Sequence, residues 1–430
     1  VRRSASASRS VVVNDGKVSK SCPVPRGQPM PSTAIQTMTK AVLRLITKPL
    51  PLVSEEGKLL TVSSLDGRAE ASRLALVMVG LPARGKTHMA RRVARYLRWL
   101  GMRTHVFNVG NYRRQHLGSH KDHNFFDPNN AEGLAARERM AIAALDDMLQ
   151  WFAEGGEVGI YDATNTTLER RRLLSSRIRA HGLDRVFVES VCEDEAVIAS
   201  NIRQTKLHMP DYSGVDPVDA VSDFRARIAH YEQAYEPVDE SEGSFVRVID
   251  VGRKVVAHRI QGYLPSRIVY FLMNLHTEPR SIWLTRHGES DFNEDNRVGG
   301  DADLSNPGKA FARALAEHFS AFSVKPRVWT STLARTKQTA ALLGVRAEEW
   351  RALDEIDAGD CDGMSYEEIR RVLPHEHAAR RENKLTYRYP RGESYLDVIR
   401  RLEPVIIELE RERRPVLVIA HQAVLRALYA

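Results

Sequence analysis

Cysteine is scarce in this chain, with Cys22, Cys192 and Cys361 the only three in 430 residues. That is too few for a disulfide framework, and it makes a reducing compartment, the cytoplasm, the default location. Long apolar runs are missing too. The longest fall far short of the roughly 20 residues that a membrane span requires, so no membrane partner is expected. Nor is the formal charge of +8 spread along the chain. Residues 1–73 hold twelve Lys and Arg against five Asp and Glu, which leaves about one unit of charge for the rest. A basic tail on a nearly neutral body lacks the basic stripe of a nucleic-acid reader, and nucleic acid is excluded as the expected partner. Positive potential in the body should be local and directed at phosphates. No internal repeat is visible.

The tail itself is rich in Ser, Val, Pro and Lys/Arg without lasting periodicity, so 1–73 reads as a disordered basic tail. Its Arg2-Arg3-Ser4-Ala5-Ser6 suits a regulatory, basophilic protein kinase, and its acid-poor start also fits an organelle transit peptide. A plain solvated tail is the simplest reading. The chain begins with Val and stops at Ala430 inside an apolar, helix-like run, so both ends read as cuts.

What is present is 43% hydrophobic sequence, enough for two ordinary cores. From 74 the pattern alternates β and α. Strands fit Leu74–Gly80, Thr104–Val109, Val158–Asp162, Val186–Val191 and Phe245–Val251, with helical patterns over Lys86–Leu100, Gly133–Phe152 and Asp216–Tyr235. Continuous apolar strands separated by helices predict a parallel sheet covered on both faces. A second α/β series starts at Ser281: strand 281–285, helix 308–320, strand 327–330, helix 332–343, a helix around 394–412 and strand 415–420. The expected division is a domain over 74–255, a linker over 256–280 and a second domain over 281–430, truncated at its end.

Each domain carries a phosphate-handling signature. Gly80-Leu81-Pro82-Ala83-Arg84-Gly85-Lys86-Thr87 follows a strand and opens a helix, the context that a G-x-x-x-x-G-K-T loop demands. The two glycines let successive N–H groups face phosphate oxygens at the positive end of the helix. Lys86 then reaches the β- and γ-phosphates of ATP, and Thr87 offers a hydroxyl to Mg²⁺. Asp162 ends a neighbouring strand, before Ala163-Thr164-Asn165-Thr166-Thr167. Its expected role is Mg²⁺ ligation or positioning of the acceptor hydroxyl, against the plainer role of a helix-capping turn. Arg113, Arg114, Arg137 and Arg170 are potential clamps for a phosphorylated acceptor, although each taken singly reads as a surface charge.

The second signature is Leu284-Thr285-Arg286-His287-Gly288-Glu289-Ser290, again at the end of an apolar run. A histidine attacks phosphorus only when neutral, with its ring fixed through the other nitrogen. Arg-His-Gly alone is weak. It gains weight from Arg335 in TSTLARTKQTA, Glu355 in LDEIDAG and His421 after the run VLVIA. This set resembles that of the phosphoglycerate-mutase-like histidine phosphatases. In it His287 would accept the phosphoryl group, and Arg286, Arg335 and His421 would stabilise its oxygens, with Asn293 donating a hydrogen bond. Glu355, kept protonated, would give a proton to the leaving oxygen and then activate water, with Asp357 the rival acid.

VMVGLPARGKT, FNVGNYRR, YDATNTT, NIRQTKL and YEPVDE together resemble the 6-phosphofructo-2-kinase/fructose-2,6-bisphosphatase family, from about 74 to the end of the chain. The resemblance implies a P-loop kinase fused to a histidine-phosphatase α/β sandwich, making and destroying fructose 2,6-bisphosphate. It implies fructose 6-phosphate contacts at Arg113, Arg137, Thr164, Arg170, Lys206, Arg227 and Tyr231, and an ATP site that takes in Asn201 through Lys206. It further implies Asp162 as first candidate for the kinase base, Lys206 as electrostatic stabiliser and a cysteine, Cys192, near the site; a small buried residue ending a strand is the plainer view of Cys192. In the second half it implies sugar-phosphate contacts at Gly299, Tyr366, Arg380, Lys384, Tyr395, Gln422 and Arg426. For the stretch Tyr387–Arg391 the plainer alternative is a solvated loop. A homodimer is allowed for. The competing readings are a kinase/phosphatase fusion acting on another sugar phosphate, and a regulatory scaffold that binds ATP and sugar phosphates without useful turnover.

Overall fold

Every residue of Leu74–Val79 is buried, as a strand covered on both faces must be. This strand, β3, sits at the centre of the first of two units in a computed structural model. The model describes residues 73–206 and 209–429 (side chains of Thr205 and Lys206 excepted) and the backbone of 10–14 and 17–18. The first unit ends at His276 and the second begins at Thr277.

In the first unit β3 is flanked by β4 (Thr104–Asn108), β5 (Val158–Asp162), β6 (Asp184–Val191), β7 (Phe245–Ile249) and β8 (Lys254–His258) in the order β4-β5-β3-β6-β7-β8. All neighbours run parallel except β8, which returns antiparallel on β7. The chain leaves β3 for one side and later resumes on the other, so a crevice opens at the carboxyl ends of β3, β5 and β6, where open α/β sheets bind ligands. Helices Lys86–Trp99 and Ala131–Ala153 cover the sheet, and Phe107, Leu145, Met148, Phe152, Tyr161 and Phe187 make up much of the core on one face.

The linker expected over 256–280 is corrected by these elements. Lys254–His258 is a paired strand, and Tyr263–Met273 is a helix whose Phe271 stacks on Tyr96 at 4.2 Å between ring centroids. The apolar spacing of Ile268, Phe271 and Leu272 gives that helix a buried stripe, which a free linker would have no reason to carry.

The second unit has the sheet order β11-β10-β12-β9-β1-β2, from β9 (Ser281–Arg286), β10 (Arg327–Thr330), β11 (Ala347–Glu349) and β12 (Val416–Ala420). These four run parallel. Strands β1 (Ser10–Asn14) and β2 (Lys17–Val18) add an antiparallel hairpin on β9. These seven residues lie within the stretch expected as a tail, where the β-branched run Val11-Val12-Val13 suits a strand. The rest of that tail up to residue 72, with Arg2–Ser6 and Cys22, lies outside the described residues. Helices Asn306–Ser320 and Tyr395–Arg411 start at Ser305 and Ser394, whose hydroxyls accept the N–H of Gly308 and Asp397. Among the described residues no helix is long and apolar enough to cross a membrane.

Candidate active sites

The phosphate loop of the first unit is held from three sides. Gly80 has φ 130°, and a Cβ there would stand 2.4 Å from the Ser190 carbonyl oxygen, so only glycine fits between β3 and β6. The Ser190 hydroxyl donates to the Arg84 carbonyl, and Asn201 Nδ2 donates to that of Ala83 at 2.9 Å. Gly80 N–H donates to the Thr164 carbonyl at 2.9 Å. Arg84 reaches the Pro82 carbonyl and Glu232, both at 3.3 Å. Gly85, left-handed at φ 87°, opens helix Lys86–Trp99, whose N-terminus receives no side-chain cap. Its first N–H groups are thus of the kind that anions satisfy. Lys86 is buried and donates to the Leu81 carbonyl at 2.6 Å, and Thr87 follows in the first turn.

Asp162 is 2% exposed at the end of β5. Its Oδ2 accepts from Asn108 Nδ2 at 2.5 Å, while Asn108 Oδ1 accepts the Asn111 N–H and so caps the helix carrying Arg113 and Arg114. Thr87 and Asp162 are oxygen donors of the type Mg²⁺ takes, and a metal shared with phosphates needs no larger protein cage. Among the described residues no cluster of three or more His, Cys, Asp or Glu offers such a cage. The phosphate loop and these two oxygens therefore fit ATP with Mg²⁺.

The arginines expected to clamp an acceptor do not all meet. Arg113 is buried and gives Nη2 to both oxygens of Asp211, at 2.6 and 2.7 Å, while its Nη1 has no partner. Burial opposes the Asp211 charge, but Arg113, Arg227 and Arg114 outweigh it and hold that carboxyl below its ordinary range. Arg113 and Arg227 both lie over the Phe126 ring, 5.7 and 3.6 Å from its centroid, and Arg227 Nε is buried without a partner. Arg137 lies over the Tyr231 ring, 6.0 Å from its centroid; burial opposes the ionisation of Tyr231, yet Arg227 and Arg137, with Thr164 beside them, bring the phenol below its usual value. Arg113, Arg137, Thr164, Arg227 and Tyr231 thus form one cationic group. Arg170 instead lies near the Tyr161 hydroxyl, which itself donates to the Ala141 carbonyl at 2.6 Å, and Arg114 splits between Asp211 and Asn111. Cys192 lies in an apolar cluster with Ala83, Ile198 and Ile202, and burial pushes its thiol up, which suits packing behind the loop rather than catalysis. The Lys206 side chain lies outside the described residues.

In the second unit three strand ends converge. His287 follows β9, Ser331 follows β10 and His421 follows β12, and the two imidazoles stand 5.0 Å apart between centroids. His287 Nδ1 lies 2.6 Å from the Gly288 carbonyl oxygen, which can only accept, so Nδ1 carries the proton and Nε2 keeps its lone pair. Arg335 Nε donates to His421 Nδ1 at 3.3 Å, so the proton of the neutral His421 sits on Nε2 and goes to Ser331 Oγ at 2.8 Å. Burial, then Arg286 and Arg335, push His287 well below its ordinary value. Burial, then His287 and Arg335, do the same to His421.

Arg335 also donates to the Gly300 carbonyl at 2.6 Å. The preceding Gly299, at φ 73°, passes so close to Asp362 that a Cβ would overlap its carboxylate. Arg286 is half-buried, with its Nε buried and unpartnered; burial disfavours its charge, and Glu355 and Glu289 support it. Glu355 Oε1 accepts the N–H groups of Ile356 at 3.0 Å and Ala423 at 3.2 Å, and its charge acts on Arg286 and Arg335. Asp357 is exposed and caps Gly359 at 2.8 Å. Asn293 spends its Oδ1 on the Ser290 N–H, which leaves its NH₂ to donate.

A second group of cations stands nearby. Arg380 donates to Tyr366 at 3.0 Å and lies over the Tyr389 ring, 5.8 Å from its centroid, and the charge of Arg426 acts on Tyr395. Burial, then Arg380 and Arg426, lower the Lys384 ammonium from 10.5 to about 8. Gln422 is exposed beside His421. The stretch Tyr387–Arg391, for which a solvated loop was only the plainer alternative, buries Tyr389 and exposes Arg388 and Arg391. Sequence reasoning missed Ser331, Asn108, Asp211 and Tyr389. A hydroxyl at the end of a strand was a usable signal for Ser331, whereas Asp211 lies 98 positions from Arg113 and had none.

Comparison with known proteins matches the description 6-phosphofructo-2-kinase to residues 63–279 and histidine phosphatase superfamily (branch 1) to residues 282–430. The chain is 49% identical over 365 residues to 6-phosphofructo-2-kinase/fructose-2,6-bisphosphatase 3 of Homo sapiens, across 84% of this chain and 70% of that one. It is 50% identical over 360 residues to the 6-phosphofructo-2-kinase/fructose-2,6-bisphosphatase of Gallus gallus, across 83% and 76%. The Arabidopsis thaliana protein of that name is 52% identical over 374 residues, across 85% of this chain and 50% of its own.

Proposed function

The chain belongs to the 6-phosphofructo-2-kinase/fructose-2,6-bisphosphatase family, and from that membership we propose how its two sites divide the work. It is a bifunctional enzyme, synthesising fructose 2,6-bisphosphate with ATP and hydrolysing it. In synthesis, the loop Gly80–Thr87 and the open helix N-terminus hold the ATP phosphates, with Lys86 on the β- and γ-phosphates. Mg²⁺ would be held by Thr87 and Asp162, where it neutralises charge on the phosphates. Arg113, Arg137, Arg227, Thr164 and Tyr231 take fructose 6-phosphate. Asp162 is the candidate base for its 2-hydroxyl, and Asn108 orients that carboxylate.

In hydrolysis, His287 Nε2 attacks the 2-phosphorus, forming the N–P bond as the P–O2 bond breaks. Arg286, Arg335 and the Asn293 amide steady the equatorial oxygens, while His421, whose Nε2–H serves Ser331, acts by holding Arg335 through Nδ1. Glu355 Oε2, the oxygen not held by main-chain donors, gives its proton to O2 of the leaving fructose 6-phosphate. It then takes a proton from the water that cleaves phosphohistidine to phosphate. Arg380, Lys384, Arg426 and the three tyrosines grip the 6-phosphate. Asp357, tied to its own turn, is not favoured as the acid. The His287 tautomer carries this assignment, because a ring held through Nδ1 presents Nε2 as the nucleophile.

Incubation with ATP, Mg²⁺ and fructose 6-phosphate, with products identified in time, tests both halves. The bisphosphate should form and then return to fructose 6-phosphate and phosphate. Faster transfer to another sugar phosphate in a panel of acceptors would replace the substrate assignment. A cytoplasmic location, a homodimer and a protein kinase acting on the tail complete the proposal.

A further inference from the structure

Arg401 lies in neither cationic group, yet it uses its whole guanidinium fork. From helix Tyr395–Arg411 it donates to the carbonyls of Ala352 at 2.5 Å, Asp354 at 2.7 Å and Glu355 at 3.2 Å. The same fork binds both oxygens of Glu393, at 2.7 and 3.0 Å. Glu393 in turn clasps the other flank of Glu355: its Oε2 accepts the Asp357 N–H at 3.0 Å, and its own N–H donates to the Asp357 carbonyl at 2.9 Å. The helix cannot easily shift, because Val398, Leu402 and Val405 bury the face beside Arg401 and Ser394 caps its start. The 352–357 segment has no strand or long helix of its own, only the short turn Arg351–Leu353.

We infer that Arg401, oriented by Glu393, is the positioning residue that sets Glu355 for proton transfer. This rests on the reading of Glu355 as the acid. A carboxyl on an irregular segment keeps its place only if the main chain on both sides is fixed, and a displacement of ~1 Å can cost ~100-fold in rate. A lysine would keep the charge but, as one compact ammonium, could not serve three carbonyls and a carboxylate at once.

A double-mutant cycle with Arg401→Lys and Glu355→Gln, read by steady-state hydrolysis of fructose 2,6-bisphosphate, tests the inference. Arg401→Lys should lower kcat ~10- to 100-fold and leave KM within about threefold. In the Glu355→Gln background the same change should cost less than about twofold, because the acid it positions is gone. A merely structural role would carry its full cost into both backgrounds, and that result overturns the inference, as does a wild-type kcat for Arg401→Lys or a loss confined to KM. Wild-type hydrolysis by Glu355→Gln alone would instead remove the acid and this inference together. Should Arg401→Lys fail to give a cooperative thermal transition, Glu393→Gln, which weakens the clamp without opening a cavity, must show the same non-additivity.

Discussion

Lys384 gives the sharpest pH prediction. Its ammonium titrates near 8 in the free pocket because burial, Arg380 and Arg426 all disfavour the charge. The lowering from 10.5 to about 8 sets an upper bound of ~3 kcal/mol at ~1.36 kcal/mol per unit, and solvent reaching this half-buried ammonium screens the effect below that. A phosphate dianion supplies the missing counter-charge, so the protonated pocket is the one that binds. The sign follows directly: a lowered ammonium is charged below about 8 and neutral above it. Because kcat/KM reports free-enzyme ionisations, it should be level from pH 7 to near 8 and then fall up to ~10-fold per unit. Phosphate monoesters lose their second proton near ~6, so substrate titration does not intrude. Lys384→Arg should abolish the alkaline limb, since a guanidinium stays charged throughout. Lys384→Met should flatten it at a level ~10- to 100-fold lower, the loss of one charged hydrogen bond worth ~1.5–3 kcal/mol. Hydrolysis initial rates at sub-KM substrate between pH 6.5 and 9.5 measure all three. A wild-type profile without the limb, or a limb that survives in Lys384→Arg, refutes the reasoning.

His287→Ala should lose the acid-labile enzyme label obtained from substrate labelled at its 2-phosphate, while synthesis continues; wild-type labelling of the variant would point to His421. Lys86→Met should abolish synthesis and spare hydrolysis, because each site is complete within its own unit, and loss of both in a folded variant would contradict that. Stability should fall as pH drops from about 7 to 5. His287 and His421 are held neutral in the fold but take up protons near 6.5 once unfolded, at up to ~1.4 kcal/mol per unit each. Urea midpoints at pH 7.0 and 5.5 should differ less in His287→Gln than in the wild type.

The amino-acid sequence by itself determined the two parallel-sheet units, both phosphate-handling signatures and the two strand-end histidines proposed to be catalytic, because those depend on local rules. Apolar runs specify buried strands, glycines permit the tight turns, and His287, Asp162 and His421 each end such a run. It also carried the helix 263–273 that the linker reading overlooked, since Ile268, Phe271 and Leu272 already had helical spacing. Tertiary structure alone decided which charges meet. Arg113 turns to Asp211 and joins Arg137 and Arg227, and Arg401 pairs with Glu393 while holding the Glu355 main chain, although none of these partners is adjacent in sequence. It also decided protonation. Whether a histidine is neutral, and on which nitrogen it keeps its proton, depends on burial and on donors such as Arg335 that approach from a helix 86 positions away in the chain. Such energies arise from distances through space, which a one-dimensional pattern does not contain.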